Sequence, residues 1–417
     1  FTVANTLLTI DMITREALRL AHEKATFIGT INRQFDSSFG ASDGKIGDTL
    51  RIRHPSQYTR RSGSRVMDVQ DSVQQSTSLV VATQDGVDMR FNSRELALDL
   101  DEFSALHLAP AMATLVSNID GDVLVGCTKA TYNQAGVQAL SISSLTTPGL
   151  ARTRLNQHLA PKGDRRLQVD SGTMGSIVGG VASYFNPSGA ISEQYREGLV
   201  ARTAMADYYE NERIWTMPSA VSSLNNSSAK LAGFISTLGQ TALTVSTSLA
   251  WGPNYWGDAD IVGQVFTIAG IYDVHPETKQ QYGTLKQFVI TSASDASTWN
   301  IQPPLYMSGP RQNFGSVYTA TSLAASSLTV SMSVPPLSTY PLGLMYHKDA
   351  FTFATAELPL MGASEKCVRR TYDGISLRVW QDSDIRNDEL LTRIDILYGY
   401  AAIRPAWACR LIGTAAT

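Results

Sequence analysis

The first regular pattern along the chain is apolar. Between Asn5 and Lys24, Leu7, Ile10, Ile13, Ala17, Leu20 and Ala21 recur at three-to-four spacing, which predicts an amphipathic helix after a polar start. A stripe of that kind needs a surface to cover it. From Ile46 to Tyr58 and from Ser76 to Thr83 the pattern shortens to runs rich in β-formers, with Leu50 and Ile52 alternating against polar neighbours, and two strands are expected. The segment between them, Thr59 to Asp71, is polar and too long for a two-residue hairpin turn, so the pair reads as a long projecting arm. Its charges are segregated, with Arg60, Arg61 and Arg65 ahead of Asp68 and Asp71; a plain solvated surface loop is the alternative.

Asp99 to Tyr132 carries the longest helical pattern, with Phe103, Leu106, Ala109, Met112, Leu115, Val116, Ile119, Val123, Cys127 and Ala130 on one broad face. Pro110 is expected to kink or divide that helix, because a mid-helix proline removes a hydrogen bond and clashes with the preceding turn. Shorter helices are expected at Arg152 to Leu159 and Ser192 to Gly198, and a buried strand at Arg166 to Val169. The glycines of Ser171 to Val181 read as close packing of a helix or turn. From about Ala220 to Tyr340 the chain turns to Ser, Thr, Val, Gly and aromatics, with β-runs at Thr241 to Ser246, Gln264 to Ile271, Thr284 to Ser292 and Ser327 to Val334, the pattern of a compact all-β unit. Mixed α/β character resumes at Leu344 to Phe351, so this unit reads as an insertion. Strands at Ser376 to Gln381 and Leu391 to Tyr400 close the chain, and Pro405 ends the run.

A length of 417 residues exceeds what one core usually serves, so two or more packing units are expected. Lys+Arg 34 against Asp+Glu 37 leaves a net charge of -3, with no global positive field to hold a nucleic-acid backbone. Charged residues make up only 17% of the chain, below the usual share of about 25%, which suggests that much of the surface lies against other protein. Cys127, Cys367 and Cys409 are scattered and lack C-x-x-C spacing, which argues against a disulfide framework and against structural zinc and for folding in a reducing cytosol. No apolar run reaches the roughly 18 residues of a transmembrane helix, and Phe1 to Lys24 lacks a basic region followed by an apolar block, so neither a membrane span nor export is expected.

Candidate chemistry is sparse. His22, His54, His107, His158, His275 and His347 are far apart and form no H-E-x-x-H pair. Ser176 has Met174 where a nucleophile elbow needs glycine, and the same stretch lacks the G-K-[ST] end of a phosphate loop. Asp99 with Asp101, and Asp382 with Asp384, read as helix starts and solvated loops. Trp251, Tyr255 and Trp256 could stack on sugars or bases, although at strand ends such residues more often fill a core. No nucleophile and base stand out, so no enzymatic activity, cofactor or metal is expected.

In their order, these elements resemble the major coat proteins of short-tailed phages whose capsid subunit carries an inserted immunoglobulin-like β-domain. The resemblance rests on the N-terminal helix, the Ile46 to Thr83 hairpin, the Asp101 to Tyr132 helix, Tyr195 to Arg202, Gly263 to Pro276 with Gln287 to Ile290, Tyr346 to Phe351, and Arg393 to Tyr400 followed by Arg404 and Pro405. It implies an α+β fold of the tailed-phage and herpesvirus capsid type. The implied parts are an N-terminal arm (1–46), an extended loop (47–86), a peripheral domain with its spine helix (87–135), an axial domain (136–220), an inserted all-β immunoglobulin-like barrel domain (221–340) and return strands of the peripheral and axial domains (341–417).

The function so implied is structural: self-assembly of pentamers and hexamers into an icosahedral shell around the genome. The chain would belong to the virion after assembly in the host bacterial cytoplasm. Its partners would be other copies of itself, a scaffolding protein, a portal protein and, where one exists, a decoration protein. Packaged double-stranded DNA would be met only non-specifically, and no membrane is involved. Arg53, Arg60, Arg61, Arg65, Asp68 and Asp71 are the candidate intersubunit contacts of the arm, and Leu7, Ile10, Ile13 and Leu20 those of the N-terminal arm. Ile46 to Thr83 contains no lysine, and arginine stays protonated, so covalent self-cross-linking through this arm is not expected. The rival reading is a phage tail or decoration protein that binds host glycans through its β-domain, with Trp251 and Trp256 as stacking platforms. A secreted hydrolase is weaker still, for want of a nucleophile.

Overall fold

Pro110 and Pro148 each stand in the first turn of a helix of this chain. The structure, a computed structural model, describes residues 10–33, 49–64, 67, 69, 74–92, 107–136, 142, 145–182, 206–218, 239–244, 262–293, 298–316, 328–332, 339–360, 367–384, 386–387 and 389–412. Two compact units share them: Phe1–Ile52, Thr77–Val123 and Phe351–Ile403 form the first, and Arg53–Ser76, Leu124–Ala350 and Arg404–Thr417 the second.

In chain order the first unit contributes α1 (Ile10–Lys24), β1 (Thr49–Arg53), β2 (Ser76–Val80), β3 (Thr83–Asn92) and the opening turns of α2 (Ala109–Ala130). The second holds the end of α2, then β4 (Gln134–Ala135), α3 (Thr146–Gln157), β5 (Arg165–Val169), α4 (Ser171–Ala182), β6 (Asp207–Glu210) and β7 (Thr216–Pro218). It continues through β8 (Gln240–Thr244), β9 (Val265–Val274), β10 (Gln281–Ala293), β11 (Thr298–Leu305), β12 (Phe314–Ser316), β13 (Val330–Met332), β14 (Thr339–Pro341) and β15 (Gly343–His347). The chain returns to the first unit for β16 (Phe351–Ala356), β17 (Cys367–Tyr372), β18 (Ile375–Asp384) and β19 (Glu389–Ala402), and to the second for β20 (Ala408–Leu411).

The first unit is organised on β19. Residues 389–395 pair with β18 and residues 397–402 with β16, while β3 pairs with 389–398, all antiparallel. Leu397 and Tyr398 pair with both β16 and β3, so those two strands flank opposite edges of β19. Alternation then divides the side chains. Ile396 joins Phe353, Ile375 and Leu377 under Met112, Leu115, Val116 and Ile119 of α2, Ala21 of α1, and Ala25 and Ile28 after it. The buried Asp120 of α2 accepts the backbone N–H groups of Phe27 and Ile28, each at 2.9 Å, which satisfies the turn that follows α1.

In the second unit the sheet order is β4-β20-β15-β5-β6, with β20 parallel to β4 and β5 parallel to β6. Ala151 and Leu155 of α3 and Met174 and Ile177 of α4 pack with Leu167, Val169, Met345 and Leu411 of this sheet. The β-rich segment forms one six-stranded antiparallel sheet, β12-β9-β10-β11-β8, with β13 also on β9. It encloses a core of its own that includes Phe266, Ile268, Phe288, Ile290, Trp299 and Phe314. A two-stranded ribbon, β7 with β14, ties the chain ahead of that segment to the chain behind it.

The structure refines several expectations. Pro110 stands in the first turn of α2, directly after the π-helical His107 and Leu108, where its missing N–H forfeits no α-helical hydrogen bond; residues 99–106 of the expected helix lie outside the described residues. The helix expected at 152–159 is α3, which begins earlier because Pro148 is likewise tolerated in its first turn. The glycines at 175 and 179 are not packing glycines: a Cβ on either would meet open space. Of the strand predicted at Ile46 to Tyr58, the described part from Thr49 on forms β1 and ends at Arg53, and the sequence reading missed β3, which extends the main sheet. The helix expected at Ser192 to Gly198, the motif Tyr195 to Arg202, and Asp99, Asp101, Trp251, Tyr255 and Trp256 lie outside the described residues.

Candidate assembly surface

The arm is rooted in the first unit's sheet by its apolar residues. β1 and β2 form a two-stranded sheet, and the N–H of His54 donates to the carbonyl of Gln75 at 2.8 Å, one step further out. Ile52 and Leu79 point inward with Val81, onto Ala354, Ala356, Leu358, Leu397 and Ile403. This puts the arm's base on the face of β19 opposite the helices. A Cβ on Gly399 would come within 2.9 Å of the Val80 carbonyl carbon and of Val81 Cα, so a glycine is required for the backbone to cross there.

Beside this root the same face carries a buried ion pair. Arg378 and Asp395 occupy paired positions on β18 and β19, their side chains are only 6% exposed, and Arg378 also donates to the carbonyl of Pro359 at 3.0 Å. Gly86 faces Asp395 across β3 and β19, and a Cβ there would lie 2.5 Å from the carboxylate oxygen. The missing side chain makes room for the charge. Arg393 makes a bidentate pair with Asp88 at 2.7 and 2.9 Å, and its guanidinium holds that carboxyl below the usual range; both are exposed, so the pair adds little stability. On the helix face, Tyr398 donates its hydroxyl to Asp85 at 2.9 Å, and burial together with that carboxylate pushes the phenol above its ordinary value.

Of the candidate arm contacts, Arg53, Arg60 and Arg61 are exposed, while Arg65, Asp68 and Asp71 lie outside the described residues. Thr49 to Ser64 contains Arg51, Arg53, Arg60 and Arg61 and no acid, so the outgoing half of the arm is basic. The same arm presents Tyr58, Met67 and Val69 at 59%, 83% and 75% exposure, an apolar contribution that the sequence reading did not weigh.

The N-terminal candidates fare differently. Leu7 lies outside the described residues, as does the side chain of Ile10. Ile13 and Leu20 are buried, and α1 lies against β17 and β18, so within the chain these two are core residues. The stripe found its cover inside its own unit. The outer face of α1 carries the ion pairs Arg15–Asp11, Arg19–Glu16 and Arg19–Glu23, and Arg370 of β17 binds Asp11 at 2.6 Å.

The residues that sequence reasoning missed are Gly86, Gly399 and the partnership of Arg378 with Asp395. Charges interrupting the apolar run of β19 were visible, but their partners depend on strand register, which the sequence does not print. Among the described residues no group of His, Cys, Asp and Glu is placed to hold a metal ion, and no helix is long and apolar enough to cross a membrane. Cys127 and Cys409 are buried, which raises both thiols, Cys409 to about 12, and leaves them inert as nucleophiles.

Comparison with known proteins points one way. Residues 258–413 match the family model described as P22 coat protein, gene protein 5. A structure from Mycobacterium phage Che8 is similar over 93% of this chain and 90% of its own, with a TM-score of 0.50 at 8% identity. The asymmetric unit of the bacteriophage PhiM1 mature capsid is similar over 91% and 85%, with a TM-score of 0.45 at 10% identity. The capsid structure of the cyanophage P-SCSP1u covers 89% and 84%, with a TM-score of 0.44 at 9% identity. No curated protein matches the sequence.

Proposed function

We infer that this chain is a P22-type phage coat protein, the major capsid protein that assembles with copies of itself into an icosahedral phage shell. The observation that carries this is the coat-protein match over 258–413, in a chain whose mixed α+β fold follows a phage structure over nearly its whole length.

Several finer assignments extend this reading. The β1–β2 arm is the extended loop, and Arg53, Arg60 and Arg61 with Tyr58, Met67 and Val69 meet an adjacent copy. Arginine on such an arm fixes register and speeds encounter, while the apolar residues supply burial. Modest contacts, repeated over a closed shell, are enough, and they let misplaced copies leave. The inserted sheet is the family's immunoglobulin-like barrel domain; its single antiparallel hydrogen-bonded path and separate core support that. Scaffolding, portal and decoration proteins are the further partners, with DNA met only through non-specific contact. The glycan-binding rival rests on Trp251 and Trp256, which lie outside the described residues.

The test is electron microscopy of the expressed protein with and without a scaffolding partner, beside a variant lacking residues 60–71. Closed shells from the full chain, and a folded but non-assembling deletion variant, are expected. An obligate small oligomer of fixed size from the full chain would favour the rival, and normal shells from the deletion would remove the arm from the account.

A further inference from the structure

The inserted sheet has a complete apolar core, but its seat on the rest of the second unit is of another kind. Among the described residues, one apolar cluster there joins Tyr132, Val265 and Val289, with Ala406 beside them. Polar contacts stand beside it. The Gln287 side-chain amide exchanges two hydrogen bonds with the backbone of Gln134, at 2.8 and 3.0 Å, as a strand neighbour would. Arg410 donates to the carbonyls of Gly263 and, at 3.0 Å, of Lys129 near the end of α2. Arg154 of α3 reaches Thr284, and the Tyr282 hydroxyl reaches the carbonyl of Gln157.

At the centre of this seat lie ionisable groups with almost no water. Asp273 of β9 has Lys286 Nζ 2.8 Å from Oδ1 and His158 Nε2 3.1 Å from Oδ2. Lys286 belongs to the inserted sheet, whereas His158 follows α3 in the body. All three are buried. Lys286 also sits over the ring of Tyr132, which meets the His158 imidazole edge-on.

We propose that Asp273, Lys286 and His158 form a proton-sensitive latch, which holds the inserted sheet on the body of the second unit and releases it as a folded piece when His158 takes up a proton. One carboxylate facing one ammonium is balanced; a second cation in the same dry space is not. The groups facing His158 are Asp273, Lys286, Arg154 and the phenol of Tyr132. Burial is the first cause that lowers its basicity, Lys286 and Arg154 act in the same direction, and Asp273 opposes them.

The closed joint therefore needs neutral His158, while an opened joint returns the ring to its ordinary value near 6.5. Below that pH the open state binds more protons, so the closed state loses stability as the solution becomes acid. Asp273 adds a separate, lower window. Burial alone would raise its carboxyl, but Lys286 and His158 outweigh that and hold it below the usual range, so its share is lost only below about pH 4. Between pH 7.5 and 5.5 a ring that is neutral when closed and ordinary when open changes the opening constant about tenfold.

The experiment is hydrogen exchange on the full-length monomer at pH 7.5 and 5.5, corrected for intrinsic rates, for the natural chain and His158→Gln. The Gln134 amide, bonded across the joint to Gln287, is the reporter, and the amides of Phe266 to Ile268 and Phe288 to Ile290 report on the inserted core. About tenfold weaker protection at Gln134 in acid is expected, with the core unchanged and with no acid effect in His158→Gln. Equal protection of Gln134 at both pH values, or the same acid response in His158→Gln, would overturn the latch. Should the variant fail to fold, the ring signal of His158 in isotope-labelled natural protein decides. Titration together with opening of the joint supports the latch, and titration near 6.5 with Gln134 still protected overturns it. Either outcome is read in the monomer, so it stands apart from the question of shell assembly.

Discussion

The backbone of Val80 lies directly against the α-carbon of Gly399, in the space that any side chain at that position would need. The arm crosses its own sheet at this point, and the contact is backbone on backbone. Gly399→Ala is therefore expected to lift β2 from β19, separate Leu79 and Val81 from Leu397 and Ala354, and cost about 1–3 kcal/mol in the manner of overpacked cores. Denaturant unfolding of the monomer measures the cost. An unchanged midpoint would mean that the arm's root is looser than described.

Arg378 and Asp395 give a second test. Arg378→Met strands a carboxylate that is almost wholly buried, and the expected loss is about 3–5 kcal/mol. Adding Asp395→Asn removes the stranded charge and should recover part of that loss. A first substitution that costs less than about 1 kcal/mol would show the pair to be solvated in solution.

Leu20→Ala separates core from contact on α1. As a buried residue packed within its own unit, Leu20 should cost about 2–5 kcal/mol in the isolated monomer when truncated. If it served a neighbour instead, monomer stability would hardly move and only assembly would suffer.

Charge reversal at Arg60 and Arg61 tests the arm's outer part. Both side chains are exposed, so monomer stability should stay within about 0.5 kcal/mol. Assembly followed by light scattering should slow and lose its sensitivity to salt, because rim charges act mainly on encounter. Unaltered kinetics would shift the weight of the contact to Tyr58, Met67 and Val69.

How legible this molecule is from its sequence depends on the range over which each pattern acts. The stripe of α1, the apolar face of α2 and the β-rich segment are local signals, and the described parts of each take the predicted structure. Pro110 shows the limit of a local rule: a proline's effect depends on its place in the helix, and here it stands in the first α-helical turn, after the π-helical His107 and Leu108. Ile13 and Leu20 mark another. An apolar stripe announces that it must be covered but not by whom, and the cover proved to be β17 and β18, more than three hundred residues further along the chain. Gly86, Gly399 and the Arg378–Asp395 pair follow from register between strands distant in sequence, so they could be read only from the paired sheet.

The central claim is that copies of this chain join through the arm into a closed container. A three-dimensional reconstruction of particles assembled from the full chain tests it most directly. The account predicts an icosahedral shell in which density for residues 54–64 lies on an adjacent copy, with β1 and β2 still rooted on β19 of their own. Particles that fail to close, or an arm folded onto its own chain throughout, would contradict it.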